Sequence, residues 1–152
     1  MQTFQKKITL NCCSQLLLLD KPVVMGIINT TPDSFFAASR SSSEEAAVIQ
    51  AGAMLQAGAV ILDIGGYSSR PGAADVSEQE ELTRVIPAIQ AIKNKFPEAL
   101  ISIDTFRANV AKEAITAGAC MVNDISAGED DPSMIQTVAA LGVPYIIMHK
   151  KG

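Results

Sequence analysis

Ala117-Gly118-Ala119-Cys120-Met121-Val122-Asn123-Asp124 carries a pattern that recurs along the chain. Helix-compatible residues run into a glycine, an apolar run follows, and the run stops at polar residues. A glycine there suits the left-handed turn that closes a helix, and an unalternated apolar run is what a strand buried on both faces requires. Ala57-Gly58-Ala59-Val60-Ile61-Leu62-Asp63 and Leu141-Gly142-Val143-Pro144-Tyr145-Ile146-Ile147-Met148-His149 repeat the pattern. Apolar runs at 23–28 and 100–103 bring the candidate strands to five, ending near Asn29, Asp63, Asp104, Asn123 and His149. Successive ends lie 34, 41, 19 and 26 residues apart. That spacing suits repeated strand–helix units, which average about 30 residues in an eight-unit barrel.

The segments between the strands read as helices. Ser42 with Glu45, and Ser77 with Glu80, have capping-box spacing, and Asp131-Pro132 sets a cap residue before a first-turn proline. Leu82, Val85, Ile86 and Ile89 form an apolar stripe at helical period, within which Pro87 either kinks the helix or sits where its missing N–H is tolerated. Strands alternating with helices mean an α/β fold with a parallel sheet and right-handed crossovers. A closed barrel and an open doubly wound sheet both fit five units.

Composition narrows the function classes. At 152 residues the chain holds one domain of ordinary size, and 48% hydrophobic against 18% charged residues describes a globular core, not a solvated tail. The net charge of −4 provides no basic stripe, so no nucleic acid and no anionic membrane surface is expected as a partner. An anionic small molecule remains open through local arginines, backbone N–H groups or a metal. Cys12, Cys13 and Cys120 lack metal-ligand spacing, which fits a reducing, cytoplasmic setting. Lys6 and Lys7 precede the apolar residues 16–19, but Asn11, Ser14 and Gln15 interrupt the stretch, so no signal peptide is expected. No apolar run approaches the ~20 residues of a membrane helix.

In either architecture, functional groups belong at the C-terminal ends of the strands and in the loops that follow. Asn29, Asp63, Asp104, Asn123, Asp124 and His149 all sit there. Asn and Asp also serve as caps and turn formers, so each alone has a structural alternative; for Asp104 it is capping the next helix. All five ends being polar favours a site. Two loops stand beside them: Asn29-Thr30-Thr31-Pro32-Asp33-Ser34-Phe35, and Gly65-Gly66-Tyr67-Ser68-Ser69-Arg70-Pro71-Gly72. Small, hydroxylated and proline-containing, they suit close backbone approach to a ligand.

Residues 25–35, Met25-Gly26-Ile27-Ile28-Asn29-Thr30-Thr31-Pro32-Asp33-Ser34-Phe35, resemble the opening signature of dihydropteroate synthases. Asp63-Ile64-Gly65-Gly66-Tyr67-Ser68-Ser69-Arg70-Pro71-Gly72, Ser102-Ile103-Asp104-Thr105, Val122-Asn123-Asp124 and Met148-His149 resemble that family's later motifs, in order and at compatible spacing. The resemblance implies a (β/α)8 TIM barrel that uses Mg2+ and condenses 6-hydroxymethyl-7,8-dihydropterin diphosphate with 4-aminobenzoate. By position, it implies Asn29 as the metal residue and Asp33, Arg70 and Asp104 as catalytic residues. Ser69, Arg70, Pro71, Asp104, Asn123 and His149 become the substrate-binding set. Arg70 would pair with the diphosphate or with Asp33, and His149 would serve the diphosphate or merely pack a strand end. Carboxylate and amide together suit the paired donors and acceptors of a pterin edge.

Three departures from the family pattern stand out: Tyr67 where Glu is usual, Thr30 where Val is usual, and Phe36-Ala37-Ala38-Ser39 in a bulkier first loop. Ser69 replaces the usual Thr and keeps its hydroxyl. The resemblance divides the chain into a lead-in, 1–22, and the N-terminal part of a pterin-binding barrel, 23–152, an incomplete barrel of about five strand–helix units. Such a partial barrel is expected to be inactive alone. A pterin-dependent methyltransferase domain and a non-catalytic pterin-binding or structural fragment are the alternatives. Barrel helices are where a homodimer would form.

Overall fold

A computed structural model describes residues 7–31, 40–67 and 75–148. Two strands, β1 (Ile8–Cys12) and β2 (Gln15–Leu19), form an antiparallel hairpin. The larger sheet holds β3 (Met25–Asn29), β4 (Ile61–Gly65), β5 (Leu100–Asp104), β6 (Met121–Asp124) and β7 (Tyr145–Ile147), all parallel and adjacent in chain order. Between them run α1 (Arg40–Gln56), α2 (Glu78–Lys95), α3 (Ala108–Ala117) and α4 (Met134–Leu141). A doubly wound sheet reverses its strand order at a switch point; this one does not. The helices also pack in succession, α1 on α2, α2 on α3 and α3 on α4, as the outer layer of a barrel wall does. The architecture is therefore a partial TIM barrel, with β3 and β7 as the end strands of its five-stranded sheet.

The two faces of that sheet differ. Ile28, Leu62, Ile64, Ile101, Ile103 and Val122 point to the helices and are buried against residues such as Val85, Ile89, Ile92 and Val110. Alternate positions point to the concave face, where Ile27 is 58% exposed beside the wholly buried Ile28. Stability is concentrated on the helix-covered face. The concave face carries the polar groups.

Local signals act mostly as the sequence implies. Gly58, Gly118 and Gly142 take positive φ just after α1, α3 and α4. The Ser77 hydroxyl accepts from Glu80 N at 3.2 Å and caps α2, which continues through Pro87; Val85 and Ile89 of its stripe are wholly buried. Two caps differ from expectation. Helix α1 begins at Arg40, so Ser42 lies inside it and is not its N-cap. Asp131 does not open α4, whose N-cap is Ser133. Its Oδ1 accepts from Ser133 N at 2.9 Å and its Oδ2 from Ala108 N at 2.7 Å, so it closes a turn and caps the neighbouring α3. Asp131→Ala should therefore cost ~1–2 kcal/mol through α3. In urea unfolding the midpoint falls with the slope unchanged; an unmoved midpoint would refute the shared cap.

The lead-in is not featureless. Cys13 and Ser14 turn the hairpin with φ of 51° and 74°, and Asn11 Oδ1 accepts from Ser14 N at 3.2 Å. Its buried Cys12 clusters with Ile61, Cys120 and Met121, and Leu10, Leu17 and Leu100 pack around them. Ile61, Leu100 and Met121 are the first residues of their strands. The hairpin thus floors the barrel at its N-terminal end and leaves the opposite end for a site. Burial pushes the Cys120 thiol up to about 12, as suits an inert packing residue.

Candidate active site

At the C-terminal end of the sheet, Asn29, Asp104 and Asn123 come together from β3, β5 and β6, as their strand-end positions imply. Gly65 makes the first approach work. A Cβ there would lie 3.5 Å from Asp104 Oδ2 and 3.8 Å from Asn29 Oδ1, so these two oxygens face the same gap across β4. Asn123 is buried, and its Nδ2 donates to Asp63 Oδ2 at 2.9 Å. Strands β4 and β6 flank β5, and neighbouring strands lie about 4.8 Å apart. Side chains that meet over an intervening strand must project from a concave surface. Asp63 is accordingly a wall residue two positions inside β4, which ends at Gly65, and not the strand end that the sequence implies.

Three atoms in this wall lack a hydrogen-bond partner among the described residues: Asp63 Oδ1, Ser102 Oγ and Asn123 Oδ1, all buried. A buried polar group left unpaired costs about 1–3 kcal/mol. Asp63 Oδ1 and Asn123 Oδ1 can each accept a hydrogen bond, and Ser102 Oγ, near enough to Asp63 to lower its carboxyl, can donate or accept one. Burial raises the Asp63 carboxyl, while the nearby Ser102 and Asn123 side chains pull it back. Burial also raises Asp104, to about 7, and the carboxylates of Asp63, Glu81 and Asp124 push in the same direction.

The structural alternatives for these residues separate cleanly. Asp104 does not cap α3: the first helical N–H, of Ala108, is taken by Asp131, and Thr105 Oγ1 accepts from Arg107 N at 3.1 Å. Asp124, in contrast, is a turn former. Its carboxylate accepts from Ser126 N, Ser126 Oγ and Gly128 N at 2.8 Å and from the Tyr145 hydroxyl at 2.7 Å. Thr30 is buried, and its N and Oγ1 reach Gly65 O at 2.8 and 3.1 Å, tying the first loop to the end of β4. Asp33, Ser69, Arg70, Pro71 and His149 lie outside the described residues, as do Phe36-Ala37-Ala38-Ser39.

A family model described as pterin binding enzyme matches residues 25–152. The chain belongs to the pterin-binding enzymes. It is 50% identical over 129 residues to the folic acid synthesis protein fol1 of Pneumocystis carinii, covering 85% of this chain and 17% of that protein. With the dihydropteroate synthase of Bacillus subtilis (strain 168) it shares 46% identity over 138 residues, 91% of this chain and 48% of the relative. A solved Xanthomonas albilineans dihydropteroate synthase with 4-aminobenzoic acid superposes with a TM-score of 0.89 at 43% identity, covering 97% of this chain and 53% of that one. The chain thus spans about half the length of these bacterial relatives.

Two residues of this pterin-binding enzyme escape the sequence reading. Glu81 is wholly buried and forms an ion pair with Arg107, whose side chain is 16% exposed. One signal could have found the pair: Glu81 falls four residues before Val85 and eight before Ile89, so a carboxylate stands on the apolar face of α2. A charge so placed calls for a buried partner.

Proposed function

We propose that the chain is the N-terminal part of a dihydropteroate synthase, forming 7,8-dihydropteroate and pyrophosphate from 6-hydroxymethyl-7,8-dihydropterin diphosphate and 4-aminobenzoate. The observation that carries this reading is the trio of partnerless buried atoms, Asp63 Oδ1, Ser102 Oγ and Asn123 Oδ1, beneath Asp104. A flat heterocycle with alternating N–H donors and ring acceptors answers that arrangement. The 4-aminobenzoate nitrogen attacks the pterin methylene carbon, the C–O bond breaks, the diphosphate leaves with the electron pair, and the amine proton passes to solvent. Asp104 and Asn123 hold the pterin, and an ionised Asp104 favours the positive charge that grows on it. Ser69, Arg70, Pro71 and His149 are assigned to substrate and diphosphate, and Arg70 pairs with the diphosphate or with Asp33.

Mg2+ belongs to the same proposal. Asn29 fits it in kind: its side-chain oxygen faces the gap at Gly65 from an exposed strand end. Among the described residues no cluster of three His, Cys, Asp or Glu side chains could hold a metal. One amide oxygen suits a hard cation whose other ligands are waters and substrate phosphates. When bound, it would neutralise charge on the leaving diphosphate.

No helix of the described residues is long and apolar enough to cross a membrane. A cytoplasmic setting and a homodimer formed through the outer helices complete the reading. This chain alone presents a partial wall, with Ile27 of β3 58% and Ile147 of β7 60% exposed, so turnover is assigned to a protein that carries further strands. Calorimetric titration with pterin diphosphate and Mg2+, then 4-aminobenzoate, tests both statements. We expect weak pterin diphosphate binding by this chain and pyrophosphate release by the longer protein. A folded chain and a longer protein that both ignore the pterin would leave only a structural role.

A further inference from the structure

Arg107 follows β5 by three residues and is used by neither the pterin wall nor the chemistry above. Its Nη1 pairs with the wholly buried Glu81 of α2, and its Nη2 donates to Val76 O at 2.6 Å. Its guanidinium carbon lies 4.6 Å from the Phe106 ring centroid and 5.7 Å from that of Tyr67. Tyr67 and Phe106 meet edge to face, centroids 5.3 Å apart at 85°. Both terminal nitrogens of the planar fork donate, and two aromatic rings stand against its charge.

The positions of these partners in the chain give the arrangement its meaning. Tyr67 stands where the chain leaves β4, and Val76 stands just before Ser77, the N-cap of α2. One guanidinium therefore holds both ends of the connection from β4 to α2. Phe106 and Arg107 themselves lie two and three residues beyond Asp104. Arg84 secures the same exit, with Nη1 on Gly66 O at 3.0 Å.

We propose that Arg107 is a positioning residue: it clamps both ends of the β4–α2 connection, which carries Ser69, Arg70 and Pro71, against the Asp104 end of β5. The role rests on the functional reading given above. Tyr67, standing where the family usually has Glu, has no carboxylate to offer the guanidinium. Glu81 carries the ion pair, and the Tyr67 ring faces the cation.

Arg107→Lys separates a clamp from simple charge balance. A lysine ammonium still neutralises Glu81, but as a point charge it cannot hold Glu81 and Val76 O in a fork and set a planar face against an aromatic ring. The double variant Arg107→Met/Glu81→Met removes the pair together and avoids a lone buried carboxylate. The chain has two tyrosines, Tyr67 and Tyr145, so ring-labelled tyrosine gives two NMR signals, assigned with Tyr145→Phe. In both variants the Tyr67 signal should move toward its free position while Tyr145, on Asp124, stays and reports an intact fold. Pterin diphosphate should bind about tenfold more weakly, as one lost charge-assisted hydrogen bond implies. An unmoved Tyr67 signal in a folded Arg107→Lys chain overturns the clamp. So does wild-type affinity with a moved signal, because the connection is then not positioned for the ligand. If the parent chain binds no pterin at all, the functional reading fails, and the Tyr67 signal still decides the clamp.

Discussion

Asp104→Asn should weaken pterin binding by ~1–3 kcal/mol, from one imperfect charged hydrogen-bond partner, and at the same time stabilise the empty fold above neutral pH. Both effects have one cause. In the unfolded chain the carboxyl titrates at its ordinary 3.8, and in the fold at about 7, mostly through burial. Between those values the folded state holds a proton that the unfolded state has lost. Stability from this group therefore falls as pH rises from about 4 to about 7, by at most ~4 kcal/mol at 1.36 kcal/mol per unit. Asparagine does not titrate, so this slope vanishes. Urea unfolding at pH 5 and pH 8 should show the parent losing more stability across the interval than the variant does. Equal losses would mean that Asp104 is not held as described. Unchanged pterin affinity would remove it from the site.

The ligand supplies what the empty wall lacks. Donors presented to Asp104 favour its ionised form, so pterin binding near pH 6 should release protons from this carboxyl. Titrations in buffers of different ionisation enthalpy would detect the release, and Asn at 104 should abolish it. Asp63 stands behind it with the same tendency but keeps the Asn123 amide as a fixed partner. The two carboxyls divide the work. Asp63 ties β4 to β6 through Asn123, and Asp104 is the one proposed to meet the ligand.

How far the sequence could be read depended on whether the determining contact was local. The Gly58, Gly118 and Gly142 helix ends, the Ser77 cap and the five apolar runs are short-range features; each forms the element its pattern implies, with β4 running two residues past Asp63. Chain-order adjacency of the strands, which separates barrel from doubly wound sheet, is a property of the whole sheet. The hairpin was hidden because its turn uses Cys13 and Ser14 at positive φ, where glycine or asparagine is the usual marker. Asp131 reads as a cap of its own helix and caps another, because Oδ2 faces Ala108 from 23 residues away. Asn29, Asp104 and Asn123 were legible as strand ends. Ser102 was not, since a serine in a strand carries no mark until Asp63 and Asn123 stand beside it.

The contrast between the two sheet faces gives the other large effect. Ile101, on the central strand β5 and wholly buried against the helices, should cost 2–5 kcal/mol as Ile101→Ala, a large part of the ~5–15 kcal/mol that holds a domain together. Ile27→Ala removes the same atoms from the concave face of β3, where the side chain is 58% exposed, and should cost within about 0.5 kcal/mol in this chain. In a longer protein whose added strands close the barrel, Ile27 would enter a filled interior, and the same substitution should rise into the 2–5 kcal/mol range while Ile101→Ala stays where it is. The comparison needs only the two variants in two lengths of chain. An equal cost of Ile27→Ala in both would mean that the concave face is not covered by further strands, and the barrel reading of the longer protein would fall with it.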